Sequence, residues 1–283
     1  MPEGDSVHRL AARLRRAADG RLVEEGELRS GDAAGTALAG LRILRHETHG
    51  KHLLTRLDQG WTLHTHLRMQ GSWTVTAPGR AIPRRVQPDV RVRLRLDDGT
   101  TLWGLELPVV ELLRDRDVAA AIGHLGPDPL RDDWDAREAV ARLSRDPDRP
   151  VVAALLDQRN LAGLGNLWVN EVCFLRGLWP WRPIGSLDVR ALVATSARAL
   201  RASVTIPGMF QTTTGDTRPG ERHWVVGRAG RPCLRCGTTV LVRAEVRDDP
   251  ERRRTWWCPH CQPEASRPGG PQDGAFPTPR SAA

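Results

Sequence analysis

Four cysteines near the end of the chain restrict its folding more than any other feature. Cys233-x-x-Cys236 and Cys258-x-x-Cys261 place two thiol pairs on either side of a short intervening stretch. Each pair fits one tight turn, with Gly237 just after the first and Pro259 inside the second. Two such knuckles facing one another form a four-thiolate tetrahedral metal site, and a chain without an export signal has little use for disulfides. The expected ligands are Cys233, Cys236, Cys258 and Cys261, holding one structural Zn2+. No fifth ligand or open coordination position is evident, which argues against a catalytic metal. The competing reading is two redox-active C-x-x-C units, but no βαβ pattern surrounds them. Thr238 to Trp257 is β-prone and predicts a hairpin, made basic by Arg243, Arg247, Arg252, Arg253 and Arg254. Such a finger is either a phosphate clamp or an ordinary solvated surface. The fifth cysteine, Cys173, lies alone in an apolar helical segment.

Ahead of the finger the 283-residue chain changes character twice. Residues 5–19 carry apolar positions at helical spacing, Val7, Leu10, Ala11 and Leu14, with arginines between them. Gly4-Asp5-Ser6 offers caps and Gly20 a stop. Residues 21–115 then alternate apolar and polar in short runs such as Val90-Arg91-Val92-Arg93-Leu94-Arg95-Leu96, separated by turn residues. That pattern predicts an antiparallel sandwich or barrel. From Trp134 onward helical periods return, over 134–143, 150–156, 171–176 and 187–203, followed by an irregular stretch over 204–224. The expected organisation is α+β: a β-sandwich domain with flanking helices over 1–122, a linker over 123–133, a helical domain over 134–224 and the finger over 225–262. The Pro-, Gly- and Ser-rich tail, 263–283, is expected to be disordered.

The formal net charge of +8 points to a polyanionic partner. The excess is arginine, which coding bias alone would also produce. That bias does not account for Lys51, the only lysine in the chain. No run is long enough to span a bilayer and no apolar h-region follows the start, so a cytoplasmic protein is expected. The start itself, Met1-Pro2-Glu3-Gly4-Asp5, becomes chemically distinctive once Met1 is removed. A terminal secondary amine then sits beside a carboxylate, a pair able to attack an electrophilic carbon and move protons around it. Further along, Leu155 to Glu171 reads as a helix, a turn containing Gly163-x-Gly165, and a second helix from near Asn166. Glycines ahead of a helix N-terminus expose N–H groups to an anion, or simply permit close packing at a corner.

Taken together these pieces resemble the formamidopyrimidine-DNA glycosylase / endonuclease VIII family of base-excision repair enzymes. The resemblance rests on the Met-Pro-Glu-Gly-Asp start, Gly50-Lys51-His52-Leu53-Leu54, His66-Leu67-Arg68-Met69-Gln70-Gly71 and Leu125-Gly126-Pro127-Asp128-Pro129-Leu130. The Leu155 to Glu171 segment and the four-cysteine finger ending at Gln262 complete it. It implies a two-layered β-sandwich flanked by helices, then a helix-two-turn-helix domain with the zinc finger, and DNA in the cleft between. It also implies roles. Pro2 is the nucleophile whose secondary amine attacks C1′ and forms a charged iminium. Glu3 is the acid that protonates the sugar ring oxygen and shuttles protons. Lys51 contacts phosphate or leaving base, and its survival as lysine fits a proton-donating role that arginine fills poorly. Asn166 holds a phosphate near the lesion, as does the finger arginine five residues before the third cysteine, Arg253, with Arg254 beside it. Arg68, Met69 and Gln70 form the loop that fills the void left by an extruded base. Read alone, Met69 could equally be a packed methionine in a β-turn.

Two departures bear on substrate. The Pro-Glu-Gly-Asp start follows the endonuclease VIII branch. The Arg-x-Phe wedge of the formamidopyrimidine branch is missing, its region reading Glu106-Leu107-Pro108-Val109-Val110. The expectation is therefore a monomeric bifunctional DNA glycosylase/AP lyase on damaged DNA, without a small-molecule cofactor or membrane and associated with the nucleoid. It would remove oxidised pyrimidines and cleave abasic sites by β,δ-elimination. The alternative is a non-catalytic damaged-DNA-binding protein on the same fold.

Overall fold

The structure is a computed structural model that describes residues 2–206, 211–246 and 252–264. Met1, Arg247 of the basic hairpin and the tail from 265 lie outside the described residues. The chain divides into two compact units, Met1–His124 and Leu125–Ala283.

The first unit begins with helix α1 (Gly4–Ala18), whose apolar stripe of Val7, Leu10, Ala11, Leu14 and Ala18 is buried. Eight strands follow: β1 (Val23–Leu28), β2 (Ile43–His49), β3 (His52–Leu57), β4 (Trp61–His66), β5 (Ser72–Thr76), β6 (Val90–Leu96), β7 (Thr101–Leu105) and β8 (Val109–Arg114). They form two antiparallel sheets, ordered β1-β6-β7-β5 and β2-β3-β4-β8. Alternation along each strand sends one set of side chains inward. Val92, Leu94 and Leu96 of the first sheet and Leu53, Leu57, Leu63 and Val110 of the second share one core with α1. A short helix, α2 (Val118–Ile122), closes the unit. Its five residues, three of them alanine, are too few to show a helical period in sequence.

The second unit holds α3 (Ala136–Leu143), α4 (Val151–Leu156), α5 (Asn166–Leu175) and α6 (Val189–Thr205). Asp135 caps α3 by accepting from the N–H groups of Arg137 and Glu138, and Asp188 caps α6 through Ala191 N–H. Leu155, Leu164, Trp168, Val172, Leu192 and Leu200 fill the core between them. Helix α5 starts at Asn166, as expected from the turn glycines before it, and runs into the 171–176 stretch. A strand pair, β9 (Leu241–Arg243) and β10 (Thr255–Trp257), forms the expected hairpin of the finger. A second small core of Phe174, Val225 and Val240 packs around Cys233 and Cys258.

The stretch expected to act as a linker, 123–133, is not a free connector. Gly126 N–H donates to Gln158 O, Ala162 N–H donates to Pro127 O, and Arg201 donates to Pro129 O. Asp128 is buried, with its Oδ1 accepting from Leu130 N–H. Gly126, Pro127 and Pro129, which suggest looseness in sequence, are instead turn residues fastened within the second unit. Among the described residues no helix is long and apolar enough to cross a membrane.

Candidate functional site

The first unit gathers its candidate residues at one end. The chain leaves α1 through Gly20, whose N–H donates to Ile43 O, while Arg15 donates to His46 O and Asp19 meets His46 Nδ1 at 2.6 Å. The C-terminal end of α1 therefore lies beside the start of β2, and the helix packs along that strand. From Arg15 back to Gly4 the helix runs ~17 Å, and from His46 forward to Gly50 the strand runs ~13 Å. The N-terminus of α1 and the β2–β3 hairpin thus share an end. Pro2 is half-buried and Glu3 fully buried, with Glu3 O accepting from Val7 N–H at 3.0 Å.

Lys51 occupies the second position of a two-residue hairpin loop, because His49 pairs with His52. Gly50 takes φ 57 at the first position, the backbone that a II′ turn demands and glycine provides. The Gly-Lys order is thus what puts Lys51 at a tight hairpin tip. Its charge reaches His66 on β4. Burial, then Lys51, His64 and Arg68, push that imidazole down to about 4, so His66 is neutral at pH 7.

Arg68, Met69 and Gln70 form an exposed turn directly after β4. Arg68 sits at φ 46 with its N–H donating to His66 Nδ1 at 3.0 Å, and Gly71 N–H closes the turn on Leu67 O at 2.8 Å. A Cβ on Gly71 would approach Leu67 O to 2.7 Å, so the closure needs glycine. Met69 is 66 % exposed at the tip and is not a packed core methionine. The region of the missing aromatic wedge behaves differently. Residues 106–108 are a three-residue connector between β7 and β8, with Leu107 buried in the core.

In the second unit, α4 and α5 flank a braced turn. Gln158 accepts from Gly163 N–H and donates to the carbonyls of Leu156 and Leu164. Gly163 takes φ 99, which favours glycine. Asn166, one turn from Asn170 on the same face, donates through Nδ2 to Arg254 O at 2.8 Å. Asn170 Oδ1 accepts from Trp256 N–H at 2.8 Å. Asn166 and Arg254 are therefore brought together, while Arg253 points to Glu245 at 2.6 Å, both side chains about half exposed.

The four finger cysteines converge, with their Sγ atoms all within 4.8 Å of one another. The Cys236–Cys258 separation of 3.5 Å is far from the ~2.05 Å of a disulfide and near the ~3.8 Å edge that ~2.3 Å metal–sulfur bonds give a tetrahedron. Burial, with neighbouring cysteines adding to it, pushes the Cys258 and Cys261 thiols upward. A cation at the centre relieves that cost, so the donor set fits a thiophilic metal ion.

Two family models match the chain: the formamidopyrimidine-DNA glycosylase N-terminal domain over residues 1–106 and the formamidopyrimidine-DNA glycosylase H2TH domain over 125–213. The chain belongs to the formamidopyrimidine-DNA glycosylase family. It is 46 % identical to a probable endonuclease 8 2 of Streptomyces coelicolor, covering 95 % of this chain and 97 % of that one. It is 39 % identical to the DNA-(apurinic or apyrimidinic site) lyase Nei2 of Mycolicibacterium smegmatis, covering 93 % and 99 %. Among solved structures, the MutM (Fpg) protein of Thermus thermophilus aligns with TM-score 0.73 at 31 % identity, covering 94 % of this chain and all of that one.

Three features of this family member carry no clear mark in the sequence. Asn170 fastens β10, and only its i, i+4 spacing from Asn166 hints at this. Glu171 is fully buried. Its carboxylate accepts from the N–H groups of Trp224, Val225 and Val226 and from the Thr213 hydroxyl, organising a segment about fifty residues away. The third feature is a histidine group, His52, His64 and His66, on one face of the second sheet.

Proposed function

We propose that this chain is a bifunctional DNA glycosylase and AP lyase of base-excision repair, with Pro2 as nucleophile. The observation that carries the reading is the common end of α1 and the β2–β3 hairpin. An N-terminal secondary amine, the adjoining Glu3 carboxylate and the chain's single lysine belong to that end. After removal of Met1, the Pro2 amine attacks C1′ of the damaged nucleotide and Glu3 protonates the ring oxygen. The base departs with Lys51 near it, and the iminium draws electrons for β- and then δ-elimination. The abasic-site lyase name of the relative from Mycolicibacterium smegmatis supports the cleavage half of this reading. The endonuclease 8 names, the Pro-Glu-Gly-Asp start and a short 106–108 connector without an aromatic wedge support oxidised pyrimidines as the bases removed. The metal is one structural Zn2+. The enzyme acts as a cytoplasmic monomer on nucleoid DNA, without a small-molecule cofactor. Incubating the protein with a duplex carrying one abasic site and reducing with borohydride gives a covalent adduct. A protein that binds this duplex and yields no adduct is the non-catalytic alternative, against which the intact set of Pro2, Glu3 and Lys51 argues.

Asn166 and the finger arginines hold the phosphates flanking the lesion. Arg253 exchanges its Glu245 partner for a phosphate, a cheap exchange because exposed ion pairs contribute little. Arg253→Ala therefore weakens binding and lowers the slope of log K against log salt by about one. Titrations across a salt series measure this, and an unchanged slope transfers the role to Arg254.

A further inference from the structure

The second sheet of the first unit carries, on the face turned away from its core, a polar chain that the proposed chemistry does not use. Leu53, Leu63 and Val110 face the core, so alternation puts His52, His64 and Glu111 on the other face. Glu111 Oε2 lies 2.7 Å from His64 Nδ1, and His64 Nε2 lies 2.8 Å from His52 Nδ1. His64 is buried at 3 % exposure. A carboxylate can only accept, so His64 donates its Nδ1–H to Glu111, and its Nε2 shares one hydrogen with His52 Nδ1. The three groups form one hydrogen-bonded row across β8, β4 and β3. His52 meets His66 edge-on, with ring centroids 4.7 Å apart at 72°. His66 in turn accepts the N–H of Arg68, the residue held at positive φ in the Met69 turn.

We propose that Glu111, His64 and His52 are positioning residues that hold His66 as a neutral acceptor for the Arg68 amide, and through it hold the turn presenting Met69. The proposal rests on the reading of Met69 as the residue that fills the void of an extruded base. A protonated His66 would carry hydrogen on Nδ1 and set a donor against the Arg68 N–H donor. The groups facing His66 oppose that state: burial by its neighbours first, then the cation of Lys51, the imidazole of His64 and the cation of Arg68. His52 is kept neutral in the same way, pushed down to about 3 by burial and by His66, His64, His124 and His49. Glu111, on β8, is the acid of the chain and is engaged by His64. His52 thus both packs against His66 and excludes water from it.

The test reads wedge insertion directly. A duplex carries an uncleavable tetrahydrofuran abasic analogue opposite 2-aminopurine, and fluorescence is followed at saturating protein. Met69→Ala is the control and abolishes the rise that unstacking produces. His66→Phe reduces the rise at least fivefold, whereas His66→Asn keeps it within twofold, because an Asn side-chain oxygen accepts from the amide two residues on. The wild-type signal stays flat from pH 8 to 5.5. His52→Ala hydrates His66, which moves back toward the ordinary ~6.5 of imidazole, so the signal falls with a midpoint near pH 6. Glu111→Leu takes the acceptor from His64 Nδ1–H, frees the His64 and His52 rings to turn, and lowers the signal at every pH. Full signal in His66→Phe, or a flat profile in His52→Ala together with full signal in Glu111→Leu, overturns the proposal. Should His52→Ala not fold, the Phe and Asn pair at His66 still decides. Full signal in Met69→Ala instead removes the wedge reading itself, which separates the two failures.

Discussion

Pro2→Gly binds abasic-site DNA within about twofold of wild type and yields at least about a hundredfold less borohydride-trapped adduct, a loss of ~2.7 kcal/mol in the trapping step. The asymmetry follows from the amine. A secondary amine that adds to C1′ and loses water has no N–H left, so its product is a permanently charged iminium. Glycine adds as a primary amine, and its neutral imine must be protonated again before it accepts either hydride or the electrons of elimination. Little binding is lost, because the phosphate contacts proposed for Asn166 and Arg253 do not involve residue 2. The pH dependence has a definite sign. An α-amino group of ordinary pKa near 8 attacks only when neutral, so the trapping rate rises with pH through 6 to 8 and levels above. Retained Met1, or any N-terminal tag, has the larger effect, since Pro2 nitrogen becomes an amide without a basic lone pair and trapping disappears. Equal losses of binding and trapping in Pro2→Gly would remove Pro2 from the nucleophile's position.

Local features of this protein were readable from sequence where one residue type has one physical use. Gly20, expected to stop the first helix, follows its end at Ala18 and takes φ 82. The amphipathic period of α1 and the strict alternation of β6 survive because each element buries one face against a shared core. The cysteine pairs converge because each spans a single knuckle. Contacts closed over long sequence distances were not readable. Glu171 sits within an apolar helical run as a surface acid would, yet it is fully buried and bonded to residues 213–226. Its partners are mostly backbone N–H groups, which every residue carries and no sequence pattern marks. Alternation puts His52, His64 and His66 on one face, but only strand register brings two of those rings within hydrogen-bond distance. The same limit explains 123–133. Glycine and proline mark a departure from regular structure without saying whether the backbone groups meet water or, as here, Gln158 and Ala162.

Removing the metal proposed for the finger has an effect of comparable size and a different signature. Cys258→Ser lowers zinc content from one per chain to near zero and weakens DNA binding by about a hundredfold or more, while the first unit stays folded. Structural zinc contributes roughly 10–16 kcal/mol to the folding of small domains, far more than a three-residue strand pair can supply. Cys258 also follows β10 directly, so its loss frees the strand at the point where it is anchored. Strand β10 and its neighbour Arg254 are tied to α5 by Asn166 and Asn170, hydrogen bonds worth ~1 kcal/mol each, and by the packing of Trp256 on the small core that includes Phe174. Those bonds hold the finger arginines beside helix α5 only while the knuckles are closed. The sandwich core of α1 and the two sheets contains none of these residues. Thermal unfolding of Cys258→Ser should therefore retain a transition for the first unit and lose cooperativity in the second. Circular dichroism and metal analysis measure both. If Cys258→Ser lost its zinc and still bound abasic-site DNA with wild-type affinity and salt slope, the finger would carry no phosphate contact and the basic hairpin would be only a solvated surface. Such a result would leave the Pro2 chemistry untouched, because trapping reports the first unit and the salt slope reports the second.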